Sequence, residues 1–243
     1  MSGYLSAMAL ALMPAIANFG GGVLAETFRV SARTLSFALH AAAGIILAVV
    51  GLELMPEALE ANPPWIILLA FLGGGAFAVL IDGLLDLVRA RTPGGECEGS
   101  PWGIYFGVSV DLFSDGIMIG TGSLIDPSLG MLLALGQVPA DIPEGFATIA
   151  TFKAQGVSRS RRLLLSASFA LPILLGTTLG YWAVRGQPDV VKLGLLAFTA
   201  GILLTVAVEE IVTEAHQEDD ARWASMFLVG GFALFALIGI YFE

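Results

Sequence analysis

Long apolar runs make up almost the whole of this chain. Eight can be counted in the 243 residues, each of roughly 20 residues, which at about 1.5 Å rise per helical residue matches a hydrocarbon core about 30 Å thick. The runs lie at residues 4–27, 35–55, 64–88, 102–124, 129–152, 163–184, 191–214 and 223–242. With 56% hydrophobic and 13% charged residues, the composition differs from that of water-soluble domains. We therefore expect an all-α membrane protein with eight transmembrane helices, numbered 1 to 8, that forms a single domain over residues 1–243.

The basic residues predict how these helices are oriented, because cytoplasmic loops carry an excess of Lys and Arg. One side of the membrane receives Arg29, Arg33, Arg89, Arg91, Lys153, Arg159, Arg161, Arg162 and Arg222, and the other receives Arg185 and Lys192. Both termini are therefore predicted to be extracytoplasmic, and the loops after helices 1, 3, 5 and 7 to be cytoplasmic. The net charge of −10 does not change this, since acidic residues contribute little to topology. It also favours no nucleic-acid partner.

An internal repeat links helix 2 with helix 7. Residues 43–58 align without a gap with residues 200–215, and both stretches begin Ala-Gly-Ile and end Glu-Ala. The predicted topology runs the two helices in opposite directions across the membrane, which is typical of secondary transporters with inverted repeats and a substrate site near the bilayer midplane. We expect a 3+2+3 arrangement, in which helices 1–3 and 6–8 are the repeats and helices 4 and 5 lie between them.

Four carboxylates lie near the middle of helices 4 and 5. Asp111 and Asp115 are four residues apart, and Asp141 and Glu144 are three apart, so each pair occupies one helix face. A short connection at residues 126–127 makes the two helices antiparallel neighbours. A carboxylate at this depth is unfavourable by at least about 2.5 kcal/mol on insertion scales, and it usually faces the bundle interior and serves a function. We expect the four acids to converge.

These acids need positive charge from elsewhere, because no Lys, Arg or His lies at their depth in either helix. Divalent cations are one source, since Asp and Glu oxygens are suitable ligands for Mg, Ca, Mn, Fe and Zn. Protons held on the carboxyl groups are the other. Pro139 and Pro143 favour the cation, because each proline frees a backbone carbonyl that can line a cavity.

The motifs around these acids resemble those of the Zrt-like and Irt-like (ZIP) family of divalent metal transporters, in a divergent, bacterial-type form. That family carries His-Asn-Phe-Pro-Glu-Gly, or a variant ending Phe-x-Asp-Gly, in helix 4, where this chain has Asp-Leu-Phe-Ser-Asp-Gly at residues 111–116. Its helix 5 motif, x-[Asp/Glu/Asn]-x-Pro-[Glu/His]-Gly, is matched by Ala-Asp-Ile-Pro-Glu-Gly at residues 140–145. Lys-Ala-Gln-Gly-Val-Ser-Arg at residues 153–159 and the Glu-rich ends of helices 2 and 7 are further similarities.

The resemblance implies where a metal binds. The family's transport site would correspond to Asp111, Asp115, Ala140 and Glu144, and its second site to Leu112 and Asp141 with Asp115 and Glu144 as bridging acids. In this chain the usual histidine, asparagine and first helix 5 ligand are replaced by Asp111, Leu112 and Ala140, and Leu171 stands where some bacterial members have a helix 6 glutamate. These departures favour one metal site, formed by Asp111, Asp115, Asp141 and Glu144.

The choice of metal should reflect the absence of a histidine imidazole at position 111. The expected substrates are divalent ions of the Zn, Mn, Fe and Cd class. Nitrogen ligands favour Zn, Cu and Ni, whereas an all-oxygen site is better suited to Mn, Ca or Mg. We therefore expect weaker zinc selectivity than is usual in the family.

Further polar residues near the helix ends are candidates for the transport path. Glu53 and Glu57 lie near the outer end of helix 2, and their repeat partners Glu210 and Glu214 lie near the inner end of helix 7. They either pass the cation along or are simply solvated. His40 is interpreted first as an interfacial side chain, and His216 as part of a solvated polar turn, with metal contact as the second reading of each.

The function expected first is secondary transport of divalent transition-metal ions, without ATP, since no Gly-x-x-x-x-Gly-Lys-[Ser/Thr] loop occurs. The resemblance implies that helices 1, 4, 5 and 6 carry the site, that helices 2, 3, 7 and 8 support it, and that alternating access follows. A non-transporting metal-binding relative and a proton-coupled carrier of a small organic substrate are the alternatives; an enzyme is not expected. The protein should be a multi-pass cell membrane protein, of the bacterial inner membrane, whose partners are the lipid bilayer, the divalent ion and, as a candidate, a second copy of itself.

Overall fold

The computed structural model describes residues 2–28, 31–91, 101–211 and 221–242. Within these ranges the chain is helical and contains no strand, which confirms the predicted all-α class for this part of the chain. Helical segments that run into one another share one label below. The helices are α1 (Ser2–Thr27), α2 (Ala32–Ala48, continued by Val49–Leu54 and Met55–Ala58), α3 (Pro64–Arg91), α4 (Pro101–Ile125), α5 (Pro127–Ala154), α6 (Arg159–Ser168 and Ala170–Ala183), α7 (Asp189–Val206, continued by Ala207–Ile211) and α8 (Ala221–Phe242).

Six helical stretches in the described residues are long and apolar enough to cross a membrane. They are Ser2–Thr27, Arg33–Ala58, Pro64–Ile81, Ile104–Ile125, Arg159–Ala183 and Asp189–Glu209. Helix α5 is 28 residues long but carries acids and prolines among its apolar side chains, and α8 is apolar over the shorter stretch Ser225–Tyr241. The chain is thus a multi-pass membrane protein, and the full number of eight crossings stays a prediction.

The helices form two contacting sets. The most extensive contacts pair α1 with α5, α4 with α6, α3 with α7 and α2 with α8. Further contacts of α1 with α4 and α6, and of α4 with α5, join α1, α4, α5 and α6 into one set. The remaining helices form the other set, and contacts of α2 with α5 and of α4 with α7 connect the two. This division is the one that the sequence resemblance implies.

In the part of the chain that the structure describes, two helices contain a π-helical turn, in which the backbone hydrogen bonds run from residue i to i+5. The turns are Val49–Leu54 in α2 and Ala207–Ile211 in α7. In the alignment of the internal repeat, residues 49–54 correspond to residues 206–211, so both turns fall on matched positions. The sequence patterns did not predict them, because a single apolar run does not distinguish a π turn from an α turn.

The connections between helices are distributed over the two ends of the bundle. Those after α2, α4 and α6 share one end, where Glu57, Ile125 and Pro188 line the same cavity of about 580 Å³. The end of α1, the end of α5 and the start of α6 share the other, where Lys153 Nζ donates a hydrogen bond to Ala25 O at 3.3 Å. This grouping is that of the predicted topology, while the assignment of the ends to cytoplasm and exterior remains a prediction.

Candidate metal centre

Helices α4 and α5 are held together as antiparallel neighbours by a one-residue connection. Asp126 is extended and forms the N-cap of α5, since its Oδ1 accepts hydrogen bonds from the backbone N–H of Ser128 at 2.7 Å and of Leu129 at 3.4 Å. Pro127 follows at the first helical position, where its missing N–H is no loss. The antiparallel arrangement therefore follows from the local sequence, as predicted.

Three of the four predicted site acids are buried. Asp115 exposes 0% of its surface, Asp141 2% and Asp111 7%, whereas Glu144 is partly exposed. The carboxylate of Asp141 lies within electrostatic range of the other three, and that of Asp115 lies within range of Asp111. The structure thus brings the four predicted acids into one region between α4 and α5, with Asp141 as their common neighbour.

The acids do not form a finished ligand shell. Among the residues that the structure describes, no three His, Cys, Asp or Glu side chains are arranged so that they could hold a metal ion. Asp111, Asp115 and Asp141 each keep one buried carboxylate oxygen without a hydrogen-bond partner. The arrangement therefore supplies unused oxygen ligands in a common region, and further ligands or a side-chain movement are needed to close a coordination sphere around them.

Gln137 is a neighbour of the site that sequence reasoning missed. Its side-chain Nε2 donates a hydrogen bond to Asp115 Oδ1 across the α4–α5 interface, and the residue is 1% exposed. It precedes Asp141 by four residues and so shares a face of α5 with that acid. This spacing is the available sequence signal, and a prediction based on charged side chains does not include it.

Asn18 brings α1 to the site, which was also missed. Its Nδ2 donates a hydrogen bond to Glu144 Oε2 at 3.2 Å, and the residue is fully buried. An amide inside the apolar run of α1 was the sequence signal. The partner helix could not be predicted, because the contact joins residues that are 126 positions apart.

The glycine after each motif acid permits close helix packing. A Cβ added at Gly116, next to Asp115, would clash with the backbone carbonyl of Ile173 in α6. A Cβ at Gly145, next to Glu144, would clash with the backbone carbonyl of Asn18 in α1. These contacts position α1 and α6 against the two helices that carry the acids.

The two prolines inside α5, Pro139 and Pro143, lie at a groove on the side of that helix away from the acids. Pro139 and Pro143 line an apolar groove together with Ile45 of α2 and Leu234 of α8. Whether the carbonyls that they free in α5 serve as ligands stays a prediction.

The predicted path residues are distributed as follows. Glu53 lies on the π turn of α2 and is partly buried, and Glu57 lines the cavity at the end of that helix with Glu60 and Asp126 within electrostatic range. The backbone of Glu210 lies on the π turn of α7. The side chain of Glu210, together with Glu214 and His216, lies outside the described residues.

His40 differs from its first interpretation. The structure buries it completely, with Nδ1 2.9 Å from Ser36 O, so it is not an interfacial side chain. The reason is packing, because this part of α2 is enclosed by neighbouring helices, and residues 39–46 of α2 are buried apart from Ala41.

Comparison with known proteins identifies the family. A family model described as "ZIP Zinc transporter" matches residues 91–239, more than half of the chain. Proteins named "Zinc transporter ZupT" align over nearly their full length: one from Chlorobium limicola is 27% identical over 270 residues and covers 98% of each chain. One from Corynebacterium aurimucosum is 24% identical over 251 residues, covering 95% of each chain, and one from Salmonella newport is 27% identical over 247 residues, covering 94% of this chain and 93% of its own. The chain therefore belongs to the ZIP zinc transporter family and is a multi-pass membrane transporter, not an enzyme.

Proposed function

We propose that this protein is a secondary transporter of divalent transition-metal ions, and that the ion binds between α4 and α5 at Asp111, Asp115, Asp141 and Glu144. The observation that carries the proposal is the burial of three of these acids beside one another with unused carboxylate oxygens. Such an arrangement is unfavourable unless a cation or protons compensate the charge.

The charges of the surrounding helices support a cation. Arg162 is the buried guanidinium of the described residues, and both of its charged contacts are with Glu26 at one end of the bundle. A divalent ion supplies two positive charges at once, and carboxylate oxygens are ligands that such ions accept.

The contacts between helices support alternating access. In the proposed cycle, α1, α4, α5 and α6 carry the ion and move against α2, α3, α7 and α8, with both termini extracytoplasmic and eight spans crossing the membrane. The two contacting sets of helices are consistent with such a division. Glu53 and Glu57 at one end, and Glu210 and Glu214 at the other, would serve as relays by ligand exchange. The membrane would be the bacterial inner membrane.

The relatives are named zinc transporters, and we propose zinc as one substrate of this chain. The site, however, has Asp111 in place of the family's histidine and offers oxygen ligands throughout. Manganese, iron and cadmium should therefore be accepted as well, with weaker discrimination in favour of zinc.

The test is uptake of Zn, Mn, Fe, Cd and Ca into liposomes that contain the purified protein. Asp115→Asn and Glu144→Gln should each reduce uptake at least about tenfold, because each replaces a charged ligand by a neutral amide. Asp126→Asn is the matched control, since it removes a carboxylate from an exposed turn and keeps an N-cap residue.

Undiminished uptake in both site variants would exclude the site. Metal binding without uptake by the wild type would favour the non-transporting relative, and pH-driven transport of an organic solute without metal would favour the proton-coupled carrier.

A further inference from the structure

The acids are not the only groups at the site with unused oxygens. In the described part of the chain, five buried side-chain oxygens without a hydrogen-bond partner belong to site residues. Three are carboxylate oxygens, and two are amide oxygens. The five atoms are Asp111 Oδ1, Asp115 Oδ2, Asp141 Oδ2, Asn18 Oδ1 and Gln137 Oε1.

Hydrogen bonding fixes the orientation of the two amides. Gln137 donates through Nε2 to Asp115, and Asn18 donates through Nδ2 to Glu144. The opposite orientation would turn an amide oxygen towards a carboxylate, which repels it. Each amide therefore holds a site carboxylate through its N–H group and keeps its own oxygen available.

A structural role alone does not account for these oxygens. Asn18 is 0% exposed and Gln137 1% exposed, and buried amide oxygens normally accept at least one hydrogen bond. An apolar side chain of similar shape would fill the same space without leaving an oxygen unsatisfied. Asn and Gln carbonyl oxygens are, by contrast, common neutral ligands of hard divalent ions.

We propose that Asn18 and Gln137 are neutral oxygen ligands of the transported cation. This inference rests on the proposed transport function and assigns two further ligands to the same site. It explains why the acids alone do not form a closed metal-binding group. It also gives α1 a ligand, so that three helices hold the ion and the site charge does not become more negative.

The test is equilibrium binding of Mn²⁺ to the purified, detergent-solubilised protein, followed by electron paramagnetic resonance, with Zn²⁺ and Cd²⁺ as competitors. Gln137→Met and Asn18→Leu remove the oxygen while nearly preserving side-chain size. Each should weaken Mn²⁺ binding at least about tenfold. Gln137→Glu and Asn18→Asp keep an oxygen ligand but lack the N–H donors, and each should bind Mn²⁺ more tightly than its apolar counterpart, Gln137→Met or Asn18→Leu.

The two kinds of variant separate a ligand from a hydrogen-bond donor. If Gln137→Glu loses as much affinity as Gln137→Met, the residue acts through its N–H group and the proposal is wrong for Gln137; the same comparison decides for Asn18. Asp115→Asn in the same assay separates this inference from the proposed function. Unchanged Mn²⁺ binding in Asp115→Asn would show that the proposed metal site is wrong as a whole. Reduced binding in Asp115→Asn, together with wild-type binding in Gln137→Met and Asn18→Leu, would show that only the assignment of the amides as ligands is wrong.

A measurement on the wild type avoids any dependence on variant folding. Coordination of a cation lowers the stretching frequency of an amide carbonyl, so Mn²⁺-induced infrared difference spectra of protein labelled with ¹³C in its Gln and Asn side chains should show a shifted band. The absence of that shift at saturating Mn²⁺ would contradict the proposal.

Discussion

Glu26 at the end of α1 and Arg162 at the start of α6 form a two-point ion pair. Arg162 donates through Nε and Nη2 to the two carboxylate oxygens of Glu26, with 2.8 Å between Nη2 and Oε2, and through Nη1 to the carbonyl of Val157. The Glu26 side chain is 4% exposed and that of Arg162 10%. The pair fixes the relative position of two helices that flank the candidate site.

Breaking this pair should destabilise the protein. Glu26→Gln leaves the guanidinium charge poorly compensated, and we expect a loss of about 1–3 kcal/mol in the free energy of unfolding. Arg159→Gln is the control, because Arg159 is 71% exposed and its Nε lies 3.7 Å from the same carboxylate, so its loss should be below about 1 kcal/mol. Thermal unfolding followed by tryptophan fluorescence in detergent measures both; equal shifts would contradict the assignment.

Close packing beside the site should not tolerate a methyl group. Gly145→Ala would force the backbone of α5 away from Asn18 in α1, and we expect a loss of about 1–3 kcal/mol together with reduced metal uptake. Gly20→Ala provides the comparison in α1, since a Cβ there has no atom within 4 Å. That change should be neutral or stabilising by up to about 1 kcal/mol. An intact Gly145→Ala protein with full uptake would show that the helices can separate without effect.

Restoring an imidazole should change metal preference. Asp111→His introduces a nitrogen ligand in the group of acids, and we expect the ratio of zinc to manganese uptake to rise by about one order of magnitude. Competition uptake in liposomes, with the two metals at equal concentration, measures this ratio. A wild-type protein in which zinc already excludes a large excess of manganese would disprove the expected weak selectivity.

The cap of α5 should make a small pH-dependent contribution to stability. Hydrogen bonds from the hydroxyl and backbone N–H of Ser128 hold the pKa of Asp126 below its ordinary value. Because the folded protein favours the ionised form, this contribution is present above the ordinary pKa of Asp and is lost as the pH falls through the lowered value. Wild type should exceed Asp126→Asn by about 0.5 kcal/mol at pH 7 and lose that advantage as the pH falls below the ordinary pKa of Asp, as followed by thermal unfolding. A difference that grows towards acid pH would have the wrong sign.

The features that could be predicted from the sequence were those set by residues close together in the chain. The 3.6-residue period placed Asp111 with Asp115 and Asp141 with Glu144, and the Asp-Pro connection implied that their helices are antiparallel neighbours. Asn18 was not predicted to contact Glu144, because nothing in α1 indicates which of the other helices it packs against. The role of the motif glycines depends on tertiary packing, since Gly145 lies against the backbone of Asn18.

Counting the basic residues in the loops predicts topology but likewise does not predict tertiary contacts. Arg162 was counted as a cytoplasmic loop residue, whereas it lies inside helix Arg159–Ser168 and is 8% exposed. The apolar run that predicted this helix began at residue 163, because the charged residues at the helix start lower the local hydropathy. The ion pair with Glu26 depends on tertiary contact and could not follow from either pattern.

The π turns of α2 and α7 change how the glutamates near them should be placed around the helix axis. A turn with i to i+5 hydrogen bonding contains one residue more than an α turn, which rotates everything after it by about 100°. Glu57 follows such a turn. A helical wheel that assumes 3.6 residues per turn along the whole of α2 therefore places Glu57 on the wrong side of the helix relative to residues before Val49. Since the second π turn falls on the matched positions of α7, the backbone positions of Glu53 and Glu210 share this irregularity, and a comparison between these two positions needs no angular correction.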